Sequence, residues 1–238
     1  DFTTNARPEE TKRILRGWAD DIWDVGIKFG TIAARKNETT IEITTYRSDL
    51  YQEHSRKPEI AFSEKIEEDL IRRDFTINAM ALRLSCELID PFNGQKDLKA
   101  KLVRSVGNPN KRFQEDALRL MRAVRLACQL DFDIEPVTRE SIKDNSYLLK
   151  DISKERIRDE LIKLVSTDFI MRGFTLMKDL EILEFVVPEL LRRHVAVIAH
   201  DLAQMLWRHV LLLGVDVAEL LLVGVALGVQ LLPLARLL

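Results

Sequence analysis

The chain has 238 residues, 46% of them hydrophobic, with 36 basic against 38 acidic side chains. This is enough apolar material for a substantial core in one large or two modest domains, and it excludes a disordered chain. The near-cancelled charge excludes a general positive field, so a polyanion partner must be met by local basic patches.

The sequence opens on Asp1, with no initiator Met, basic n-region or apolar h-region. It shows no secretory signal and reads as cut at the front. In 26–47, "GTIAA" and "TIEITTY" flank a short polar "RKNET" link and predict two antiparallel strands. Alternation sets Ile41 and Ile43 on one face and Glu42 on the other, away from the core the isoleucines cover. Residues 48–60 are polar, contain Pro58 and show neither period, so they read as a mobile loop that includes His54. From Ser63 a helix is expected, since a Ser followed by an acidic first turn suits a helix N-terminus. The stretches 89–98 and 106–113 read as a turn-rich segment and a linker.

Beyond 113 the chain turns helical. Phe113, Ala117, Leu120, Met121, Val124 and Ala127 recur at three and four, which is one buried helical face. "ISKERIRDELIKLV" (152–165) repeats the pattern, with Ser153 as N-cap and Arg156 one turn from Glu160. Cys86 and Cys128 have no metal-like spacing and read as buried small apolar residues of a reducing compartment. Residues 192–238 contain no lysine, and 220–235 are almost wholly Leu, Val, Ala and Gly. Sixteen such residues, broken by Gln230 and Pro233, fall short of the about 20 needed to span a membrane. The tail reads as foreign to the rest, as a misread frame or fusion scar would leave it.

Three constellations carry chemistry. Asp116 and Arg119 lie three apart on the expected helix and so emerge on one face. A surface ion pair is the plain alternative. A carboxylate acceptor beside a guanidinium donor also complements a base edge that offers an amino group beside a ring-nitrogen acceptor, as cytosine and adenine do. Guanine and uracil would set a carbonyl against Asp116 and a ring N–H against Arg119, a mismatch worth about 1–3 kcal/mol. Arg72 and Arg73 precede Asp74, with Asn78 one helical turn on. Two guanidiniums suit a triphosphate, and Asp74 with Asn78 suit ribose hydroxyls, against the plainer reading of a solvated charged face. Asp1 and Glu42 are candidate Mg²⁺ ligands by their hard oxygens.

In order along the chain, "DFTTNARPEET", "GIKFGTIAAR", "IEITTYR", "EEDLIRRDFTINAMAL", "LIDPFNGQKDLKAKLVRSVGNP", "KRFQEDALRLMRAVRLA" and "ISKERIRDELIKLV" resemble bacterial class II tRNA nucleotidyltransferases, the CCA-adding enzymes, and their poly(A) polymerase relatives. The resemblance runs from residue 1 to about 190. It implies an α+β fold: a partial DNA polymerase beta-like nucleotidyltransferase head over 1–107, a helical, nucleotide-selecting neck over 108–166, and a helical body from 167 that runs into the anomalous 192–238 tail. It makes Asp1 the second Asp of the metal-binding D-x-D, with Glu42 a further acidic group at a two-Mg²⁺ site. It carries nucleotide binding to Arg72, Arg73, Asp74, Asn78, Asp116, Arg119 and Arg122. Glu115 and Arg122 position the template helix, and "ISKERIRDELIKLV" braces it.

The resemblance also implies the partners and the reaction. CTP and ATP would be joined to a tRNA 3′ end in the cytoplasm with release of pyrophosphate, without membrane attachment. The family's strand, Gly-Gly turn, Arg-Asp pair and first D-x-D Asp precede its match to residue 1, so this chain is expected to be inactive alone. His194, His200, Asp201, His209 and Asp216 lie too close together to match the widely spaced ligands of a phosphohydrolase domain. Two alternatives stand beside CCA addition: poly(A) polymerase, which the missing Pro after Glu115-Asp116 disfavours, and a non-catalytic RNA- or nucleotide-binding remnant using Lys96, Lys99, Lys101 and Arg104.

Overall fold

The computed structural model describes residues 2–50 and 59–188. Asp1, the stretch 51–58 with His54, and residues 189–238 with the whole of the anomalous tail lie outside the described residues, so the readings made of them rest on sequence alone. The chain divides into two units, Asp1–Ile182 and Leu183–Leu238. Of the second, the described part holds one short helix, Leu183–Val186.

The first unit opens with β1 (Phe2–Thr4), α1 (Pro8–Leu15), β2 (Asp21–Gly26), β3 (Thr31–Lys36) and β4 (Thr39–Thr45). The strands form one sheet in the order β1-β4-β3-β2, with β1 parallel to β4 and the other pairs antiparallel. β-branched residues concentrate in β3 and β4, where they fit a pleated, half-buried surface. Pro8 at the start of α1 and Glu9 and Glu10 in its first turn favour the helix N-terminus. Leu15 of α1 buries against Ile32 and Ala34 of β3, with Ile22, Ile41 and Ile43 around them. The β3–β4 hairpin is therefore as the alternation predicts, and Asn37 makes its turn in the left-handed region at φ 54°. Glu42 is exposed, in register with Ala33 on the face opposite the isoleucine core.

Two local expectations change here. β2 escapes the sequence reading because it is an edge strand with charges at both Asp21 and Asp24, so its alternation is poor. The loop read over 48–60 is shorter, since β5 (Arg47–Leu50) pairs with β6 (Glu59–Phe62). That pairing is tertiary, and no period within either short strand announces it. Gly30, at φ 85°, lies under Phe62, and a Cβ there would come within 2.7 Å of the ring.

The helix expected from Ser63 is α2 (Ile66–Ile71), six residues long. Ser63 Oγ accepts from the Lys65 amide at 3.0 Å and donates to Glu68 at 2.6 Å. The helix stops at Arg72 because Phe75 is drawn into a bridge with Ser105 and the Thr76 amide bonds the Arg104 carbonyl at 2.9 Å. A tight 3-10 turn follows over Thr76–Asn78. Next come β7 (Ala81–Leu82) and β8 (Leu88–Ile89), an antiparallel hairpin. Cys86 sits at its tip, exposed and at φ 63°, so only Cys128 is the buried cysteine the sequence suggested.

The turn-rich 89–98 stretch becomes α3 (Gly94–Lys99), because the two Asp90 oxygens accept the Gly94 and Gln95 amides at 2.6 and 3.0 Å. β9 (Leu102–Val103) pairs in parallel with β10 (Asp133–Ile134), the one strand that interrupts the described helices after residue 108. The linker read over 106–113 already contains the start of α4 (Pro109–Glu115), capped by Asn108 onto the Lys111 amide. α5 (Leu118–Leu130), α6 (Pro136–Asn145), α7 (Lys154–Val165) and α8 (Ile170–Asp179) follow. Phe113, Ala117, Leu120, Met121, Val124 and Ala127 are all buried, and Ser153 caps α7 as predicted. The expected single helix is broken, however, at Asp116, whose backbone is extended. Among the described residues, no helix is long and apolar enough to cross a membrane.

Candidate nucleotide site

The end of α2 presents Arg72 and Arg73, and a buried acid holds both. Asp69 is 1% exposed. Its Oδ1 accepts Nε and Nη2 of Arg72 at 3.0 and 2.6 Å, and its Oδ2 accepts Nε and Nη2 of Arg73 at 3.3 and 3.1 Å. Asp74 is also buried. Its Oδ1 accepts the Phe75 amide at 2.8 Å and the Asn78 side-chain amide at 3.2 Å. The turn after α2 thus brings Asp74 and Asn78 together, although not by the continuous α-helix that their spacing suggested. Beneath the turn, Thr76 Oγ1 donates to Asp97 at 2.7 Å, and Arg104 holds Asp97 from the other side at 3.0 Å.

Asp116 and Arg119 do not stand side by side on one helix. Asp116 forms the joint between α4 and α5, with Oδ1 accepting the Leu118 amide at 3.1 Å and Oδ2 accepting Arg156 Nη2 of α7 at 2.9 Å. Arg156 therefore pairs with Asp116 and not with Glu160, its expected neighbour on α7. Arg119, 8% exposed, donates Nη1 to the Arg112 carbonyl and to Glu115, and Nη2 to the Arg72 carbonyl, each at 2.9 Å. Its Nε and second Nη2 proton have no partner among the described residues, so donors remain for a ligand. Asp116 likewise keeps lone pairs beyond the two in use.

Arg122 joins the two halves. Nη2 and Nε lie 2.6 and 2.7 Å from Asp74 Oδ2, and Nη1 lies 3.9 Å from Glu160. Burial works against the Arg122 charge, yet the Asp74 carboxylate, with Glu160 behind it, holds its pKa above the ordinary value. Burial alone would also push the Glu160 carboxyl up. Hydrogen bonds from Lys163 and Arg125 overcome this and hold it below its ordinary value. Arg125 reaches Glu160 at 2.7 Å. The α7 segment braces α5 through these contacts, as the resemblance implies.

Glu42, Arg72, Arg73, Asp74, Asn78, Asp116, Arg119 and Arg122 line one open cleft of about 1850 Å³. Pockets for single small ligands run to about 300–1,000 Å³, so this open cleft is large enough to admit a nucleotide. No described residue pairs with Glu42, which leaves an acceptor-only carboxylate facing the cleft, suited to a hard cation. Asp1, the second expected ligand, is outside the described residues. Among the described residues no three carboxylate, histidine or cysteine side chains gather as a metal group.

The chain is similar to known proteins over most of its described length. Residues 1–104 match the poly(A) polymerase head domain, and residues 131–192 match the probable RNA- and SrmB-binding site of polymerase A. A CCA-adding enzyme of Lactobacillus helveticus is 46% identical over 187 residues, 78% of this chain and 46% of that protein. The chain belongs to the tRNA nucleotidyltransferase and poly(A) polymerase family. A CCA-adding enzyme of Streptococcus pyogenes serotype M1 is 44% identical, over 74% of this chain and 43% of its own length. The chain therefore spans under half the length of these curated relatives. The Bacillus stearothermophilus CCA-adding enzyme in complex with CTP superposes with a TM-score of 0.70 at 36% identity, covering 77% of this chain and 44% of that one. A tRNA nucleotidyltransferase with a primer tRNA and an incoming ATP analog does so with a TM-score of 0.64 at 27% identity, over 88% and 60%.

Three features of the candidate site lie outside the sequence reading. Asp69 is one, although a carboxylate three and four residues before adjacent arginines is a readable signal. The Arg156 to Asp116 bond spans 40 residues and the Arg119 to Arg72 bond 47, and neither leaves a local trace. Of the four basic residues suggested for phosphate-backbone binding, Lys96, Lys99 and Lys101 are exposed, whereas Arg104 is committed to Asp97 and Glu135.

Proposed function

We propose that the chain is the nucleotide-selecting part of a tRNA nucleotidyltransferase that adds C and A to the tRNA 3′ end and releases pyrophosphate. The observation that carries this reading is the bond from Arg119 Nη2 to the Arg72 carbonyl, 2.9 Å, which ties the expected base-reading residue to the expected phosphate-reading turn in one cleft. Arg73 donates to the triphosphate. Asn78 accepts a ribose hydroxyl through its side-chain carbonyl, which no bond among the described residues uses, and Asp74, whose oxygens are taken up by Phe75, Asn78 and Arg122, holds Asn78 at the ribose. Asp116 accepts the exocyclic amino group of C or A, and Arg119 donates to the adjacent ring nitrogen. Glu115 and Arg122 hold these groups in place. The 3′-hydroxyl oxygen then forms its bond to the α-phosphorus as the bond to pyrophosphate breaks, with no covalent enzyme intermediate. Asp1 and Glu42 are the residues proposed to hold Mg²⁺, which when bound would neutralise the triphosphate and ease deprotonation of the hydroxyl.

The test is equilibrium binding of CTP, ATP, GTP and UTP to the chain. CTP and ATP should bind at least about fivefold more tightly than GTP and UTP, the low end of a base-edge mismatch. Asp116→Ala should erase that preference. Equal binding of all four by the parent chain would overturn the reading. Incorporation of labelled nucleotides into tRNA by a chain extended with a relative's preceding head segment separates CCA addition from poly(A) synthesis, since only the latter grows long A tails.

A further inference from the structure

Asp69 is a buried acid for which the reaction itself has no use. It is wholly enclosed, yet its two oxygens are divided between two guanidiniums, Oδ1 for Arg72 and Oδ2 for Arg73, with both arginines engaged through Nε and Nη2. Oδ1 also takes the Arg47 amide, at a longer 3.4 Å. A carboxylate that only balanced charge could be satisfied by one arginine. Dividing its oxygens fixes two long side chains at once, and their rotamer freedom is what a ligand would otherwise have to remove. The edges turned toward Asp69 are the Nε edges. For Arg73, whose side chain is 39% exposed, Nη1 is left without a described partner. Arg72 is held at its other end as well, because its carbonyl accepts Arg119 Nη2.

We propose that Asp69 is a positioning residue for the triphosphate: it presents the Arg72 and Arg73 guanidiniums to the cleft in a fixed orientation and does not touch the nucleotide itself. This rests on the nucleotide-binding reading above. Charge and orientation act in opposite directions here. Removing a carboxylate makes the site more positive, which by Coulomb attraction alone would tighten triphosphate binding. Removing the anchor frees both guanidiniums, which weakens it. An amide in place of the acid also turns an N–H₂ donor toward one guanidinium.

The experiment titrates the chain and its Asp69→Asn and Asp69→Glu variants with ATP, adenosine and inorganic tripolyphosphate. Affinity for ATP and tripolyphosphate should fall by at least about tenfold in both variants, the loss of roughly one charge-assisted contact, while adenosine affinity stays within about twofold. Asp69→Glu keeps the charge and moves it by one methylene, so orientation predicts a loss where charge predicts none. If Asp69→Asn does not fold, Asp69→Glu carries the test by itself. Unchanged or tighter tripolyphosphate binding overturns the inference, as does an equal loss for ATP and adenosine, which would mark Asp69 as a support of the fold alone. Failure of the parent chain to bind any of the three ligands overturns the functional reading beneath it.

Discussion

Arg122 and Asp74 meet across 48 residues of sequence, with Nη2 2.6 Å from Oδ2, and this contact docks α5 onto the turn that follows α2. Asp74 is 8% exposed on its side chain and Arg122 34%. Removing the cation would leave a nearly enclosed carboxylate with only the Phe75 and Asn78 N–H groups to answer it.

Arg122→Ala should therefore destabilise the chain by about 2 kcal/mol, below the roughly 3–5 kcal/mol of a fully buried pair because water reaches part of the guanidinium. A lower urea midpoint at unchanged denaturant slope checks this. Arg122→Lys should recover only part of the loss, because an ammonium cannot reproduce the fork onto Asp74 and the approach to Glu160 together.

Arg119→Lys should weaken the preference for CTP and ATP over GTP and UTP by about fivefold or more, since a lysine cannot hold Glu115, the Arg112 carbonyl and the Arg72 carbonyl and still offer a donor to the base. Parallel titrations with the four nucleotides measure it. An unchanged preference would remove Arg119 from the base-reading role.

Glu160 makes stability depend on pH. Its carboxyl lies below its ordinary value in the folded chain, so its contribution is present above the unfolded value of about 4.3 and is lost as pH falls through the lower folded value. Glu160→Gln, which leaves Arg125 without its carboxylate, should cost about 2–4 kcal/mol at neutral pH. The difference from the parent chain should shrink progressively as the pH is lowered below about 4.3, read from urea midpoints at several pH values.

Gly94 lies against the turn that carries Asp74 and Asn78, and a Cβ there would sit 2.3 Å from the Thr76 carbonyl oxygen. Gly94→Ala should cost about 1–3 kcal/mol by overpacking and should also weaken ATP binding, because α3 can relax only by pushing on that turn. Gly17→Ala is the control. Nothing lies within 4 Å of its added Cβ, so its midpoint and ATP affinity should stay near the parent's.

Pieces whose signal is local are legible in the order of residues alone. The β3–β4 hairpin follows from alternation and a short polar turn, the buried faces of α4 and α5 from spacing of three and four, and the α7 cap from Ser153. The residue types at 72–74, 116 and 119 are compatible with a nucleotide's phosphates, ribose and base edge, because the donors and acceptors of a base edge are fixed by covalent structure, but taken alone they suit a surface ion pair and a solvated charged face as well, and only the resemblance along the chain favours the nucleotide. How those residues are held is set by long-range contacts. Asp116 breaks the helix that periodicity draws through it, since its carboxylate does better capping Leu118 and meeting Arg156 than lying on a helix face. The helix after Ser63 stops early because Thr76 is claimed by Arg104 from beyond β9, and Arg72 with Arg73 turn to a buried Asp69 before any ligand arrives. Most such bonds join positions far apart in sequence, and no period or propensity within one segment records which distant partner will satisfy a buried charge.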